Sequence, residues 1–309
     1  GMNLTFATKA VLEELTRMRL DGIEKVYIQD ETLSCLKQLF DTEDQEELSD
    51  EENPEIGLSK KLKSVSTISV EESSSPTKRK ELPSNTPEDS CRLPQSPVFQ
   101  LPEGTKESRW EWLREKVLEC ETCNAELNPN GKVVFGEGNL NADIFLCGEA
   151  PGAEEEIAGS PFVGPAGELL MKILSAMGLQ REQVYIGNIV NWRPRHNLAY
   201  GNRPPSREEI DFCLPYLKAQ LQIIEPKIVV ALGKTATDGL MGHDPKRRLS
   251  HVRGNWHEVM GYPMMVTYHP SYLLHNPSKN SKRKVWEDFL LIMEKLGMTI
   301  TEKQRGFFL

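Results

Sequence analysis

The 309-residue chain contains no run of about 18 consecutive apolar residues, the minimum for a membrane-spanning helix. Residues 1–25 alternate polar and apolar side chains and lack the apolar segment of a secretion signal. The six cysteines are too few for a disulfide framework in a chain of this length. We therefore expect an intracellular, cytoplasmic protein with no membrane segment.

Acidic residues are in excess only in the N-terminal third of the chain. Residues 1–107 contain 13 Lys and Arg against 22 Asp and Glu, whereas residues 108–309 contain 24 of each and are neutral. Residues 42–107 are rich in Glu, Ser, Pro and Lys and nearly lack aromatics, so they cannot bury enough apolar surface to fold. We predict a short helical segment over 1–41, a disordered linker over 42–107 and a folded domain over 108–309.

Strand and helix patterns alternate in the folded domain. Apolar runs predict strands near residues 143–148, 183–190, 228–232 and 263–268. Apolar spacing and capping signals predict helices near residues 165–178, 206–224 and 281–296. This alternation predicts an α/β fold, a three-layer α/β/α sandwich with a central parallel sheet of about four strands.

A loop rich in Gly, Pro and Glu follows the first predicted strand. It runs from Gly148 to Glu156 and continues through Ser160 to Gly164. In open α/β sheets, ligands bind at the carboxyl ends of the strands. Because the loop combines carboxylates with one aromatic residue, Phe162, it indicates a site for ligand binding or catalysis rather than a plain turn.

Six short motifs, taken together and in this order, resemble those of the family 4 uracil-DNA glycosylases. They are Gly148-Glu149-Ala150-Pro151-Gly152, Pro161-Phe162-Val163-Gly164, Asn188-Ile189-Val190, Arg193-Pro194, Asn202-Arg203 and His269-Pro270-Ser271-Tyr272-Leu273-Leu274. The resemblance implies the fold of the uracil-DNA glycosylase superfamily. It also implies a monomeric enzyme that hydrolyses the N-glycosidic bond of uracil in DNA, initiating base-excision repair. Two alternatives stay open: the same fold acting on another deaminated or damaged base, and a non-catalytic DNA-binding relative.

The resemblance assigns roles to individual residues of the pocket. Ala150 contacts the extruded base, Phe162 stacks on it, and Asn188 reads its Watson–Crick edge through one donor and one acceptor. His269, as a neutral imidazole, stabilises the negative charge that grows on uracil O2 as the base leaves. The competing interpretations are a core phenylalanine, a turn-forming asparagine and an ordinary buried histidine.

Several polar residues are candidates for handling the attacking water. Glu149 and Glu155 are expected to orient it and to offset the positive charge that develops on the sugar. Glu156 is expected to be solvated. Asn202 is expected to help hold the water, but an apparent insertion just before it leaves Asn197 as the competing candidate.

Two surface segments suggest contacts with macromolecules. Residues near the His269 loop are expected to contact DNA phosphates without sequence specificity, the alternative being a solvated charge run: Ser271, Lys279, Lys282 and Arg283. The C-terminal residues from Gln304 to Leu309 are faintly similar to the short peptides that dock on sliding clamps. We favour packing of this tail against the core.

Cysteine content is the main departure from the family pattern. Many family 4 enzymes hold a 4Fe–4S cluster with a C-x-x-C pair, a cysteine just before Arg-Pro and a cysteine on the next helix. Cys120, Cys123 and Cys213 match three of these positions, but Trp192 stands at the fourth. We expect no cofactor to be required for the chemistry and no cluster, with Trp192 packing in its place. A labile cluster or a zinc ion with an outside ligand is the alternative.

Overall fold

The computed structural model describes residues 93–195 and 201–309. The chain divides into two units, residues 1–91 and 92–309, and the fold below belongs to the second. The helical segment expected over 1–41, most of the linker expected over 42–107, and Asn197 lie outside the described residues. Within the described part of the chain, no helix has the length and apolar character needed to cross a membrane.

Helices and strands alternate along most of the described chain. The helices are α1 (Lys106–Leu118), α2 (Glu121–Ala125), α3 (Ala153–Ala158), α4 (Pro165–Met177), α5 (Arg207–Ile224), α6 (Lys234–Met241), α7 (Leu249–Val252), α8 (Ser271–His275), α9 (Lys279–Lys295) and α10 (Glu302–Arg305). The strands are β1 (Glu137–Gly138), β2 (Ile144–Gly148), β3 (Tyr185–Asn188), β4 (Ile228–Leu232), β5 (Trp256–Val259) and β6 (Tyr262–Thr267). A short 3₁₀ helix spans Arg181–Gln183.

All six strands form one sheet in the order β1-β3-β2-β4-β6-β5. The four central strands pair in parallel, which confirms the predicted parallel sheet and all four predicted strands. The edge strands β1 and β5 pair antiparallel with their neighbours and were not predicted. They escape sequence patterns because β1 has two residues and β5 is a half-exposed arm of a hairpin with β6.

The two faces of the sheet are buried against different helices. Along β2, Phe145 and Cys147 point into a core shared with α1 and α5, whereas Ile144 and Leu146 point into a core shared with α4 and α9. Alternate side chains of a strand face opposite sides of a sheet, so a strand that is apolar throughout must be covered twice. This arrangement is the predicted three-layer α/β/α sandwich.

The folded unit begins before residue 108, the start that composition predicted. Leu93, Phe99 and Leu101 pack against the core beside α1 and α5. The Phe99 ring stacks on Tyr216 with centroids 5.6 Å apart. Three apolar side chains in a proline-rich stretch are therefore enough to hold it on the surface, although the stretch as a whole has a linker-like composition.

The C-terminal tail packs on α9, as favoured from the sequence. Phe307 lies against Trp286 with ring centroids 5.5 Å apart, and the Trp286 indole N–H donates to the Gln304 carbonyl at 2.6 Å. The Gln304 side chain donates to the carbonyl of Ala176 in α4. Gln304 and Phe307 are thus used within the fold, whereas Phe308 and Leu309 at the end of the tail are exposed.

A buried ion pair ties the end of β6 to α9. Arg253 donates two hydrogen bonds to the Asp288 carboxylate, at 3.0 and 2.6 Å, and the Thr267 hydroxyl donates to the same carboxylate at 2.6 Å. Burial raises the pKa of Asp288, and its bonds with Arg253 and Thr267 act in the opposite direction. Because Thr267 is the last residue of β6, this pair holds the strand end at the carboxyl edge of the sheet.

Removing one partner of this pair should destabilise the fold. Arg253→Met leaves a buried carboxylate without its counter-charge, and we expect the free energy of unfolding to fall by about 3–5 kcal/mol. Arg207→Met is the matched control, because it breaks the half-exposed pair with Asp211 one turn along α5 and should cost less than about 0.5 kcal/mol. Urea unfolding measures both values. Equal losses in the two variants would contradict a structural role for the buried pair.

Candidate active site

The predicted site residues converge at the carboxyl edge of the four parallel strands. Glu149 directly follows β2, Asn188 ends β3, and His269 follows β6 by two residues. Parallel pairing places Gly148 opposite Asn188 and Leu232 opposite Thr267, so these strand ends lie at the same level. The edge of the sheet therefore gathers side chains that are far apart in the sequence.

Gly148, Phe162 and Asn188 meet closely at this edge, and we call the place where they meet the recess. A Cβ atom added to Gly148 would lie 2.5 Å from both Asn188 Oδ1 and Phe162 Cζ. The side-chain oxygen of Asn188 is buried and has no hydrogen-bond partner among the described residues. Leaving a buried acceptor unpaired costs about 1–3 kcal/mol, so this oxygen is typical of a group reserved for a ligand N–H.

Glu155 braces the loops on either side of the recess. Its carboxylate accepts hydrogen bonds from the backbone N–H groups of Val163 and Gly164, at 3.0 and 2.9 Å, and from Gly152 at 3.1 Å. The side chain is buried. The carboxylate thus faces backbone donors, and the sequence-based expectation that Glu155 handles water gains no support from this geometry.

Arg181 fixes the backbone of the aromatic residue and was not identified from the sequence. Its guanidinium donates to the carbonyls of Phe162 at 3.0 Å and Pro161 at 2.5 Å. Phe162 has a positive φ of 52°, which a bulky residue rarely adopts, so these bonds hold an uncommon conformation. The Phe162 ring is buried and lies against the His269 ring, with centroids 5.6 Å apart.

His269 is held as a neutral imidazole with a defined tautomer. The backbone N–H of Ser271 donates to Nδ1 at 3.2 Å, and the Ser271 hydroxyl lies 2.8 Å from the same nitrogen. Since Nδ1 accepts, the ring proton resides on Nε2. Burial lowers the pKa of His269 to about 4, so the ring is uncharged at neutral pH.

Glu149 has a partner that sequence patterns do not reveal. The Thr235 hydroxyl, in the first turn of α6, donates to Glu149 Oε2 at 2.5 Å. Burial raises the pKa of Glu149, and the bond from Thr235 acts in the opposite direction. Thr235 therefore orients a partly desolvated carboxylate and stabilises its ionised form.

A second polar network lies behind the acidic loop. The Arg193 guanidinium donates to Glu156 Oε1 at 2.9 Å, to Asn202 Oδ1 at 2.8 Å and to the Gly201 carbonyl. Glu156 is buried, so the expectation that it is solvated is wrong. An added Cβ on Gly152 would lie 3.6 Å from Asn202 Nδ2, which places the Asn202 amide nitrogen beside the acidic loop.

The four residues expected to contact phosphates differ in what they face. Lys279 and Lys282 begin α9 and have no ion-pair partner within the described residues. Arg283 instead pairs with Glu287 and donates to the carbonyls of Arg305 and Phe307. Arg283 anchors the C-terminal tail, and its expected contact with a phosphate gains no support from this geometry. The Ser271 hydroxyl forms a hydrogen bond with Nδ1 of His269.

Three of the six cysteines meet within or against the core cluster that also contains Trp192. The Cys123 thiol contacts those of Cys120 and Cys213. In residues 93–195 and 201–309, no group of three or more His, Cys, Asp or Glu side chains is arranged to hold a metal ion.

Among the described residues, one sheet edge thus carries an unpaired amide oxygen, an aromatic ring and a neutral imidazole, a combination suited to a small planar heterocycle with an N–H donor. Comparison with known proteins identifies the family to which the chain belongs. The family model of the Uracil DNA glycosylase superfamily matches residues 135–290. The type-4 uracil-DNA glycosylase of Thermotoga maritima is 43% identical over 185 residues, which cover 60% of this chain and 93% of that protein.

Other relatives show the same likeness. The type-4 enzyme of Sulfurisphaera tokodaii is 39% identical over 206 residues, covering 63% of this chain and 86% of that protein. The type-5 uracil-DNA glycosylase of Pyrobaculum aerophilum is more distant, at 28% identity over 164 residues, covering 48% and 70%. The chain belongs to the uracil-DNA glycosylase superfamily and, within it, to the family 4 enzymes.

A side chain at position 148 should slow uracil release, because it disturbs the recess. Gly148→Ala forces Phe162 and Asn188 apart, and displacement of such groups by about 1 Å can cost a hundredfold in rate. Gly187→Ala is the matched control on β3, since its added Cβ would meet its nearest atom at an ordinary 3.5 Å. We expect uracil release from DNA to drop about a hundredfold in Gly148→Ala only. Comparable activity in both variants, at equal thermal stability, would show that the recess is not the base pocket.

Proposed function

We propose that this uracil-DNA glycosylase hydrolyses the N-glycosidic bond of deoxyuridine in DNA, in the recess formed by Gly148, Phe162 and Asn188, and so initiates base-excision repair. One observation carries the proposal: the buried Asn188 Oδ1 has no hydrogen-bond partner within residues 93–195 and 201–309. The N3–H group of uracil supplies the missing donor, and the Asn188 amide N–H can donate to a ring carbonyl. An aliphatic or purely apolar ligand would leave this oxygen unsatisfied.

Reaction at a base requires that the nucleotide leave the helix. Enzymes of this kind extrude the target nucleotide into a pocket, at the cost of its stacking energy. The Phe162 ring offers a replacement stacking surface at the recess, and Arg181 and Glu155 hold its loop by bonds to backbone atoms. Because a base is stacked again in the pocket, part of the unstacking cost is recovered. Ala150, next to the Gly148 recess, is a further candidate for contact with the base.

His269 suits the stabilisation of the departing base. When the bond between C1′ of the sugar and N1 of uracil breaks, the electron pair leaves with uracil and negative charge grows on its ring oxygens. A neutral imidazole with its proton on Nε2 can donate a hydrogen bond to O2 and keep that proton. A donor fixed by Ser271 needs no reorientation, so its effect is greater in the transition state than in the ground state.

Glu149 supports the other half of the reaction. As uracil departs, positive charge develops on the sugar, and an ionised carboxylate nearby lowers its energy. A water molecule then attacks C1′ and releases a proton, which a carboxylate of raised pKa can accept. Asn202, whose amide nitrogen lies beside the acidic loop, is a candidate to help hold that water. Lys279 and Lys282 are placed to contact DNA phosphates through non-specific, salt-sensitive interactions.

Removal of the Asn188 amide tests the pocket directly. We expect Asn188→Ala to slow uracil release at least about a hundredfold, a loss of about 2.7 kcal/mol of transition-state stabilisation. Single-turnover release from a labelled oligonucleotide, read as alkali-labile cleavage, measures the rate. Binding to DNA with an abasic site is the control and should be unchanged, because that ligand has no base to read.

The choice of base is tested with the same assay. The enzyme should release hypoxanthine or xanthine far more slowly from strands that contain one of these bases in place of uracil. An Asn188→Ala enzyme that binds abasic DNA normally and releases uracil at the wild-type rate would refute the role of Asn188. Faster release of a purine than of uracil would refute the proposed substrate.

Loss of the Thr235 hydroxyl should change the pH dependence of the reaction. Thr235→Val removes a hydrogen bond to the ionised carboxylate, so the already raised pKa of Glu149 rises further. If ionised Glu149 is needed, activity falls as pH drops through this pKa, and the acidic limb of the pH–rate profile moves to higher pH. Thr235→Ser keeps the hydroxyl and should keep the wild-type profile. An acidic limb that is the same in all three proteins would argue against Glu149 as the group that titrates.

A further inference from the structure

The place that holds an iron–sulfur cluster in many family 4 enzymes contains a tryptophan in this chain. Trp192 is fully buried, and its ring lies 6.1 Å from that of Phe212, centroid to centroid. It belongs to the same core as Cys123 and Cys213. An indole of this size, packed among other side chains, takes up volume that a cluster would need.

The side chains around Trp192 do not fit a 4Fe–4S cluster. Such a cluster is held by four protein ligands, normally thiolates. Cys120, Cys123 and Cys213 supply three, and the indole nitrogen of Trp192 carries a proton and offers no lone pair to iron. No other acidic, histidine or cysteine side chain in the described ranges completes a metal-binding group.

The chain segments that a cluster would join are connected by other means. The Arg195 guanidinium, just after Trp192, donates to the carbonyls of Ala125 and Glu126 at 2.6 and 2.9 Å, and to that of Leu127 at 2.5 Å. It thereby ties the loop after β3 to the end of α2, where the last carbonyls of a helix need donors.

A further contact joins the region to α5. The Cys120 thiol interacts with the Tyr216 hydroxyl, and Tyr216 also stacks on Phe99. Tyr216 of α5 therefore contacts both Cys120 and the ring of Phe99. Each of the three elements that carry the cysteines and Trp192 is thus linked to the others by packing or hydrogen bonds.

We infer that Trp192 and the three cysteines, which we call the thiol–indole plug, replace the iron–sulfur cluster as the structural link between α2, the loop after β3 and α5. The protein then folds and acts without bound metal. The thiols act as small apolar side chains in the same core as the indole.

The inference is tested by metal content in full-length protein. Wild-type enzyme, prepared without oxygen and treated with ferrous iron and sulfide, should retain almost no iron after desalting and show no broad visible absorption. Trp192→Cys restores the fourth thiol and removes the indole, so the same treatment should give about four irons per chain and a visible band. Its urea midpoint should be low before the treatment and rise after it.

Trp192→Phe is the matched control, since it keeps an apolar ring but adds no ligand. It should bind no iron and release uracil at close to the wild-type rate. About four irons in the wild-type protein, or about one zinc that survives a chelator, would overturn the inference. Trp192→Cys that is folded and still takes up no cluster would show that the indole does not occupy the position of a cluster.

Discussion

The parallel register of four strands is the constraint on which the active site depends. Phe145 to Gly148 pair with Tyr185 to Asn188, and the ends of β4 and β6 are aligned in the same way. Successive side chains on a strand point to opposite faces, so a shift of one residue would turn Asn188 away from the recess. The ion pair between Arg253 and Asp288 supports this register, because it fixes the last residue of β6 next to the His269 turn.

Three carboxylates from one short segment differ in role because their surroundings differ. Glu149 has a single hydroxyl partner and a raised pKa, so it keeps capacity to bind a proton or a water molecule. Glu155 is occupied by three backbone N–H groups, and Glu156 pairs with Arg193. Sequence proximity alone cannot separate these roles. The number and type of donors that the folded chain brings to each carboxylate decide which one remains available for chemistry.

The parts of the fold and site that the sequence predicts are those set by local pattern. Apolar runs located all four parallel strands, and the rule that ligands bind at their carboxyl ends pointed to the candidate site. The edge strands have no such pattern, since β1 is two residues long and β5 is half exposed. No local sequence pattern reveals hydrogen-bond partners such as Thr235 and Arg181, because each contacts its partner residue only when separate loops meet in the fold. The burial of Glu156 was not predicted for the same reason, because its partner Arg193 is 37 residues away in the sequence.

The thiol–indole plug bears on catalysis through chain connectivity rather than through contact. Trp192 follows Asn188 by four residues, and the intervening Ile189 and Val190 are fully buried. Their backbone N–H groups donate hydrogen bonds to the carbonyls of Gly148 and Glu149. The segment after β3 therefore lies beside the start of the acidic loop. Whatever fixes position 192 therefore limits movement of the recess. In the proposal made above, the buried indole of Trp192 is the anchor at this position and takes no part in bond cleavage.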